Sequence, residues 1–263
     1  MFDPKNHKAI IIGGGVGPMA GVDLHRQIIQ NTATDGTDQT HLDIIHLSYS
    51  RLIQDRTKYL LNEITGDPAN GMLTVAKSAQ AALHAIGRVG VMGVPCNTFH
   101  APRIYDRFSH LLHENNIDIK LVHMLAETAD HIAAVFPNIK KIGLMSTTGT
   151  RRVGVYQDIF QSHGIALIEV DELAQLELHD TIYNKERGIK AVTPVTDWTV
   201  GRFTSYALSL VAQGAQAIIL GCTEIPLALT GDNIDGVPLI NPVTVLARAL
   251  IREAAPTHLK PLI

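Results

Sequence analysis

The sequence has 263 residues, 22 Lys+Arg against 25 Asp+Glu, a formal net charge of −3, 18% charged residues and 46% hydrophobic ones. Charge is scarcer than the roughly 25% of an average soluble domain and core-forming material is plentiful, which excludes a disordered chain. The near-neutral balance argues against nucleic acid and acidic membrane surfaces as partners.

No apolar run approaches the roughly 20 residues that a spanning helix needs. Met1–Lys8 reads MFDPKNHK, without the apolar stretch and small-residue cleavage site of a signal peptide. A cytoplasmic protein is expected, and its two cysteines, Cys96 and Cys222, should then stay reduced. Two thiols alone cannot complete a four-ligand zinc site, and no metal is expected. The length suits one large or two small domains.

Strands and helices alternate along the chain. Lys8–Ile12 is an apolar run closed by Gly13, Gly14 and Gly15, the pattern of a buried parallel strand. Pro18 opens a helix in which Val22, His25, Ile28 and Ile29 recur at helical spacing. Leu42–Leu47 is a second strand candidate, although Asp43 and His46 interrupt its apolar character. Met72, Ala76, Ala79, Leu83 and Ile86 line a helix that Gly87 stops, and Val89–Val94 is a strand ending just before Pro95 and Cys96.

The second half repeats the theme. Lys141–Met145 predicts a strand, followed by Ser146-Thr147-Thr148-Gly149-Thr150 and a helix to about His163. Ile165–Val170 predicts a further strand, a helix covers 195–213 with Trp198 as a packing residue, and Ala217–Leu220 runs into Gly221-Cys222. Alternation of this kind implies βαβ units and parallel sheets.

The halves look duplicated. Each opens on a lysine and an apolar strand, and each carries a cysteine after a later strand, followed by Asn97-Thr98 or Thr223-Glu224. The expected architecture is α/β: two pseudo-symmetric domains, each a central parallel sheet flanked by helices, with the active site in the cleft between them. Residues 1–120 with 240–263 would form the first domain and carry Cys96. Residues 121–239 would form the second and carry Cys222. Ligands of open α/β sheets sit beyond the carboxyl ends of strands, where both cysteines fall.

A helix start near a thiol lowers its pKa from about 8.5. Pro102 and Pro226 mark such starts after the two cysteines, so both thiols are expected to be partly ionised. One thiolate could then take a proton from a carbon while a thiol returns one to its other face, which inverts the centre without a cofactor. Donors such as Asn97, Thr98, Thr223 and backbone N–H groups would stabilise charge on an adjacent carboxylate. Arg56 and Lys190 are the candidate cations for an acidic substrate side chain. His100, close to Cys96, is either a modulator of that thiol or a neutral packing residue.

Gly15-Val16-Gly17-Pro18-Met19-Ala20 also fits the dinucleotide fingerprint G-x-G-x-x-A. The second strand ends in Leu47-Ser48-Tyr49 without the acid that would bind ribose, and Pro18 removes an N–H from the turn. The loop is expected instead to close over a small carboxylate.

The chain resembles the aspartate/glutamate racemase family, which also includes hydantoin racemases and related decarboxylases and isomerases. The resemblance is carried by Gly14-Gly15-Val16-Gly17-Pro18, Gln54-Asp55-Arg56-Thr57, Pro95-Cys96-Asn97-Thr98 and Leu220-Gly221-Cys222-Thr223-Glu224. It implies a cofactor-independent racemase of an acidic amino acid, aspartate before glutamate, working as a homodimer. Cys96 and Cys222 would be the acid/base pair, with Gly15, Arg56, Asn97, Thr98, Thr223, Glu224 and Lys190 around the substrate. Arg187 competes with Lys190 for the second-domain cation. Glu224 is typical of aspartate-type members. A decarboxylase or isomerase of a small dicarboxylate, or a non-catalytic amino-acid-binding protein, are the alternatives.

Overall fold

The computed structural model describes residues 7–262. The reading of the leading residues as free of a signal peptide rests mainly on 1–6, outside the described residues. Two compact units are present: one comprises the residues up to Glu127 with those from Val243 onward, the other Thr128–Pro242.

In the first unit, β1 (Ala9–Gly14) is buried at every position, as a strand covered on both faces must be. Pro18 begins α1 (Pro18–Asn31), where a missing N–H costs nothing. β2 (Ile44–Ser48), α2 (Arg56–Leu60), α3 (Pro68–Ala85), β3 (Gly90–Gly93), α4 (Pro102–Glu114), β4 (Ile119–Val122) and α5 (Met124–Val135) follow. The sheet order is β2-β1-β3-β4, parallel throughout.

The second unit contains β5 (Lys141–Ser146), α6 (Thr148–Val153), α7 (Gln157–Ser162), β6 (Ala166–Ile168), α8 (Glu172–Tyr183), α9 (Asp197–Ala212), β7 (Ala217–Gly221), β8 (Asn233–Ile234) and β9 (Val237–Ile240). Its sheet runs β6-β5-β7-β9-β8, parallel except for the β8–β9 hairpin. Asp235 and Gly236, both at positive φ, form the two-residue turn of that hairpin, the arrangement whose twist matches the flanking strands. The last helix, α10 (Pro242–Ala254), packs in the first unit.

Small residues decide how closely the layers of the first unit approach. A Cβ on Gly90 would lie 2.7 Å from Leu83 of α3, and one on Gly93 would lie 2.8 Å from Leu250 of α10. Positions three apart on a strand face opposite ways, so α3 and α10 cover opposite faces of β3. Each large aliphatic side chain buried there, such as Ile10, Ile12, Leu83 or Leu250, contributes about 1.5–3 kcal/mol.

Several expected boundaries are corrected. The crossing placed at 120/121 falls inside β4, which pairs with β3. Val237–Ile240 pairs with β7, so Ile240, expected in the first domain, lies in the second sheet. The single helix expected up to His163 is two, because Gly154 takes a left-handed conformation (φ +68) that ends α6. Ile165–Val170 shortens to the three residues of β6. Among the described residues no helix is long and apolar enough to cross a membrane.

Candidate active site

Both cysteines stand just beyond the carboxyl end of a central strand, Cys96 after β3 and Cys222 after β7. Each is nearly buried, at 7% and 6% exposure.

In the first unit, the Cys96 N–H donates to the Val94 carbonyl at 2.8 Å, and Asn97–His100 form a 3-10 turn. The Cys96 carbonyl accepts from the Phe99 N–H at 3.1 Å and from His100 Nδ1 at 2.9 Å. The Met124 N–H donates to His100 Nε2 at 3.2 Å. One ring nitrogen must donate and the other accept, so these bonds select the neutral Nδ1–H tautomer. Burial, and next the neighbouring His123, push the His100 pKa down to about 3, against the opposing pull of the Cys96 carbonyl. His100 thus holds the Cys96 backbone; its bonds go to main-chain groups. Asn97 and Thr98 are buried beside it.

The glycine loop after β1 lies next to this turn because β1 pairs with β3. Gly15 is at φ +88, and a Cβ there would sit 2.8 Å from the backbone nitrogens of Tyr49 and Ser50. The loop therefore closes on the chain segment after β2, which accounts for Gly15 without the carboxylate expected from sequence. Gly15→Ala should cost about 2–4 kcal/mol of stability through backbone strain and overpacking, read as a lower urea midpoint; an unchanged midpoint would contradict the close approach.

Asp55 caps α2 by accepting the Lys58 N–H at 2.9 Å, which puts Arg56 at the first helical position. Arg56 Nη2 reaches back to donate to the Val16 carbonyl at 2.7 Å. The Asp55-Arg56-Thr57 segment thereby ties α2 to the glycine loop and brings Arg56 to the strand ends of the first unit.

The second unit gathers a charged cluster. Glu224 is 4% exposed. Its Oε1 is in close contact with Lys190 Nζ. Its Oε2 accepts from Cys222 Sγ at 3.1 Å and from Thr223 Oγ1 at 3.3 Å. Lys190 comes from the segment after α8, and its ammonium also lies 5.6 Å from the Tyr183 ring centroid. Burial pulls the Lys190 pKa down, but Glu224, Cys222 and Tyr183 together outweigh it, and the ammonium ends above the ordinary lysine range. Burial pushes the Glu224 carboxyl up, and Lys190 together with the hydrogen bonds from Cys222 and Thr223 overcomes this and keeps it below the usual range.

This cluster corrects one expectation. Only a three-residue 3-10 turn, Ile225–Leu227, follows Cys222, so no α-helix dipole favours a thiolate. Burial, and then the adjacent Glu224 charge, push the Cys222 thiol up, with Lys190 opposing them.

The two candidate cations differ in their contacts. Arg187 stacks 4.4 Å from the centroid of Trp198 and pairs with Asp180 at 3.6 Å. It lines a separate cavity of about 440 Å³ between α8 and α9 with Glu177, Asp180 and Arg202. Trp198 is half-buried under that arginine, outside the core. Lys190 joins Cys222 and Glu224; Arg187 does not. Sequence reasoning placed Glu224 around the substrate and missed its contact with the thiol sulfur. The neutral role of His100 had been one of the two readings.

The fold is that of known racemases. Over 94% of both chains it matches the aspartate racemase of Picrophilus torridus, with a TM-score of 0.73 at 21% identity. It also matches an aspartate racemase homologue from Pyrococcus horikoshii over 95% of this chain and 99% of that one, with a TM-score of 0.63 at 21% identity. A mutant arylmalonate decarboxylase shares the fold over 97% of this chain and 96% of its own, with a TM-score of 0.52 at 12% identity. In sequence the chain is 26% identical to the glutamate racemase of Corynebacterium glutamicum over 189 residues, 69% of this chain. It spans 57% and 63% of the length of two curated relatives that it matches.

These features define an α/β protein of the racemase fold, with two parallel-dominated sheets flanked by helices. The model of the Asp/Glu/Hydantoin racemase family matches residues 14–250, and the chain belongs to that family.

Proposed function

We propose that this protein is an isomerase that racemises an acidic amino acid, aspartate first and glutamate second, with Cys96 and Cys222 exchanging protons at Cα and no pyridoxal cofactor. The observation that carries the reading is the presence, in a chain of this family, of two buried thiols each just beyond a central parallel strand. One thiolate removes the Cα proton, leaving the C–H electron pair on carbon. The other thiol protonates the opposite face. Asn97, Thr98 and the main-chain N–H of Thr223 supply donors to the substrate carboxylate, whose charge rises as the carbanion forms. Arg56 and Lys190 favour an acidic side chain.

Incubation with L- or D-aspartate in D2O should bring deuterium into Cα and drive optical activity towards zero from both sides; glutamate should follow more slowly. Absence of both effects with either amino acid would refute the reading. The alternative, decarboxylation of a small dicarboxylate, is favoured by the fold shared with arylmalonate decarboxylase and would register as CO2 release in the same assay format.

A further inference from the structure

We infer that Glu224 is a positioning residue for proton transfer: it holds the hydrogen of Cys222 on sulfur, so that the resting enzyme meets its substrate with Cys222 as the acid. The inference deepens the proposed racemase reading and rests on it for its link to turnover.

An ionised carboxylate only accepts hydrogen bonds. A carboxylate as buried as Glu224 would go neutral unless paired, and Lys190 supplies the pair at Oε1. Oε2 lies 3.1 Å from Cys222 Sγ and 3.3 Å from Thr223 Oγ1. With the carboxylate ionised, the hydrogens in these contacts belong to sulfur and to the threonine hydroxyl. The thiol is therefore protonated and its S–H directed at Oε2. The charged and titratable groups gathered around Cys222 in its unit are Glu224 and Lys190, with the Tyr183 phenol behind the lysine. Cys222 also belongs to the apolar core cluster of its unit, with Leu220, Ile225 and Leu229.

When Cys222 protonates a Cα carbanion, the S–H bond breaks, a C–H bond forms and the electron pair stays on sulfur. The new thiolate then stands beside the Glu224 charge, tempered by Lys190. The pair consequently favours return of a proton to sulfur after turnover. The first proton taken from substrate must go to a different base, which the proposed function assigns to Cys96.

The test uses a protein with one thiol. Cys96→Ser leaves Cys222 as the only cysteine, and iodoacetamide alkylation followed by intact mass gives its pH profile. The midpoint should lie above the ordinary thiol value of about 8.5. Adding Glu224→Gln, which keeps the shape and removes the charge, should lower the midpoint by at least one unit, on the order of tenfold in thiolate fraction below it. Glu224→Asp should keep it high. A midpoint at or below the ordinary value in the Cys96→Ser protein, or one that the glutamine leaves in place, overturns the inference. If the glutamine variant fails to fold, the Cys96→Ser profile decides alone. The profile is recorded without substrate, so failure to racemise would sink the functional reading and leave this one standing.

Discussion

Cys96→Ser and Cys222→Ser are each expected to lower racemisation of aspartate by 10²–10⁴-fold, the range typical of a positioned acid or base. A hydroxyl is a far weaker acid than a thiol, so serine at either position can neither be ionised near neutral pH nor release its proton readily. The two variants should nevertheless differ in what survives. With Cys222 replaced, Cys96 can still remove a Cα proton from one enantiomer and return a solvent deuteron to the same face. Exchange without inversion should persist for that enantiomer alone. Cys96→Ser should lose exchange from that enantiomer, because its base is gone, and should gain none from the other, because Cys222 rests as a thiol beside Glu224. Chiral chromatography together with NMR of the Cα proton separates the two quantities. Near-normal inversion in either variant would refute the two-thiol assignment. Folding is a minor concern at Cys222, since a serine hydroxyl there would find the same Glu224 acceptor.

Much of this was legible in the sequence because it rests on local rules. The buried strand Ala9–Gly14, the proline that begins α1, and the α/β alternation all follow from apolar runs and punctuation residues. The cysteines were placed at strand ends because Val89–Val94 and Ala217–Leu220 are apolar runs that lead directly into them. What remained hidden depends on contacts between residues far apart in the chain. Arg187 and Lys190 are three residues apart and chemically alike. They part company because Trp198 captures the first and Glu224 the second. The break between α6 and α7 turns on one glycine backbone conformation, and glycine alone does not announce whether it will use it. The thiol state was misjudged for a physical reason: a proline after Cys222 suggested a helix dipole, whereas burial and a carboxylate two residues on dominate there. Gly15 had a structural cause that only the approach of Tyr49 and Ser50 discloses.

Acid should destabilise the first unit through His100. Its folded-state pKa, about 3, lies below the roughly 6.5 of an unfolded histidine. Between those values the unfolded chain binds a proton that the folded chain refuses, so stability falls as pH falls. The contribution is complete above about pH 6.5 and should have diminished by about 4 kcal/mol at pH 3, on the order of 1.4 kcal/mol per pH unit in between. The stereochemistry agrees with the sign. A second ring proton would place an N–H on Nε2, facing the Met124 N–H that now donates to it at 3.2 Å. His123, whose pKa burial also lowers, adds in the same direction. Urea unfolding followed from pH 7 towards pH 4 should show this slope in the native protein. His100→Gln, which can donate with its amide nitrogen and accept with its oxygen but does not titrate, should flatten it. Parallel curves for the two proteins would remove His100 as the source. Because the same ring holds the Cys96 carbonyl at 2.9 Å, the acid transition should also free the Cys96 turn. Alkylation of Cys96 in a Cys222→Ser protein should then lose its native protection along with the unfolding curve in the histidine protein, and at a lower pH in the glutamine variant.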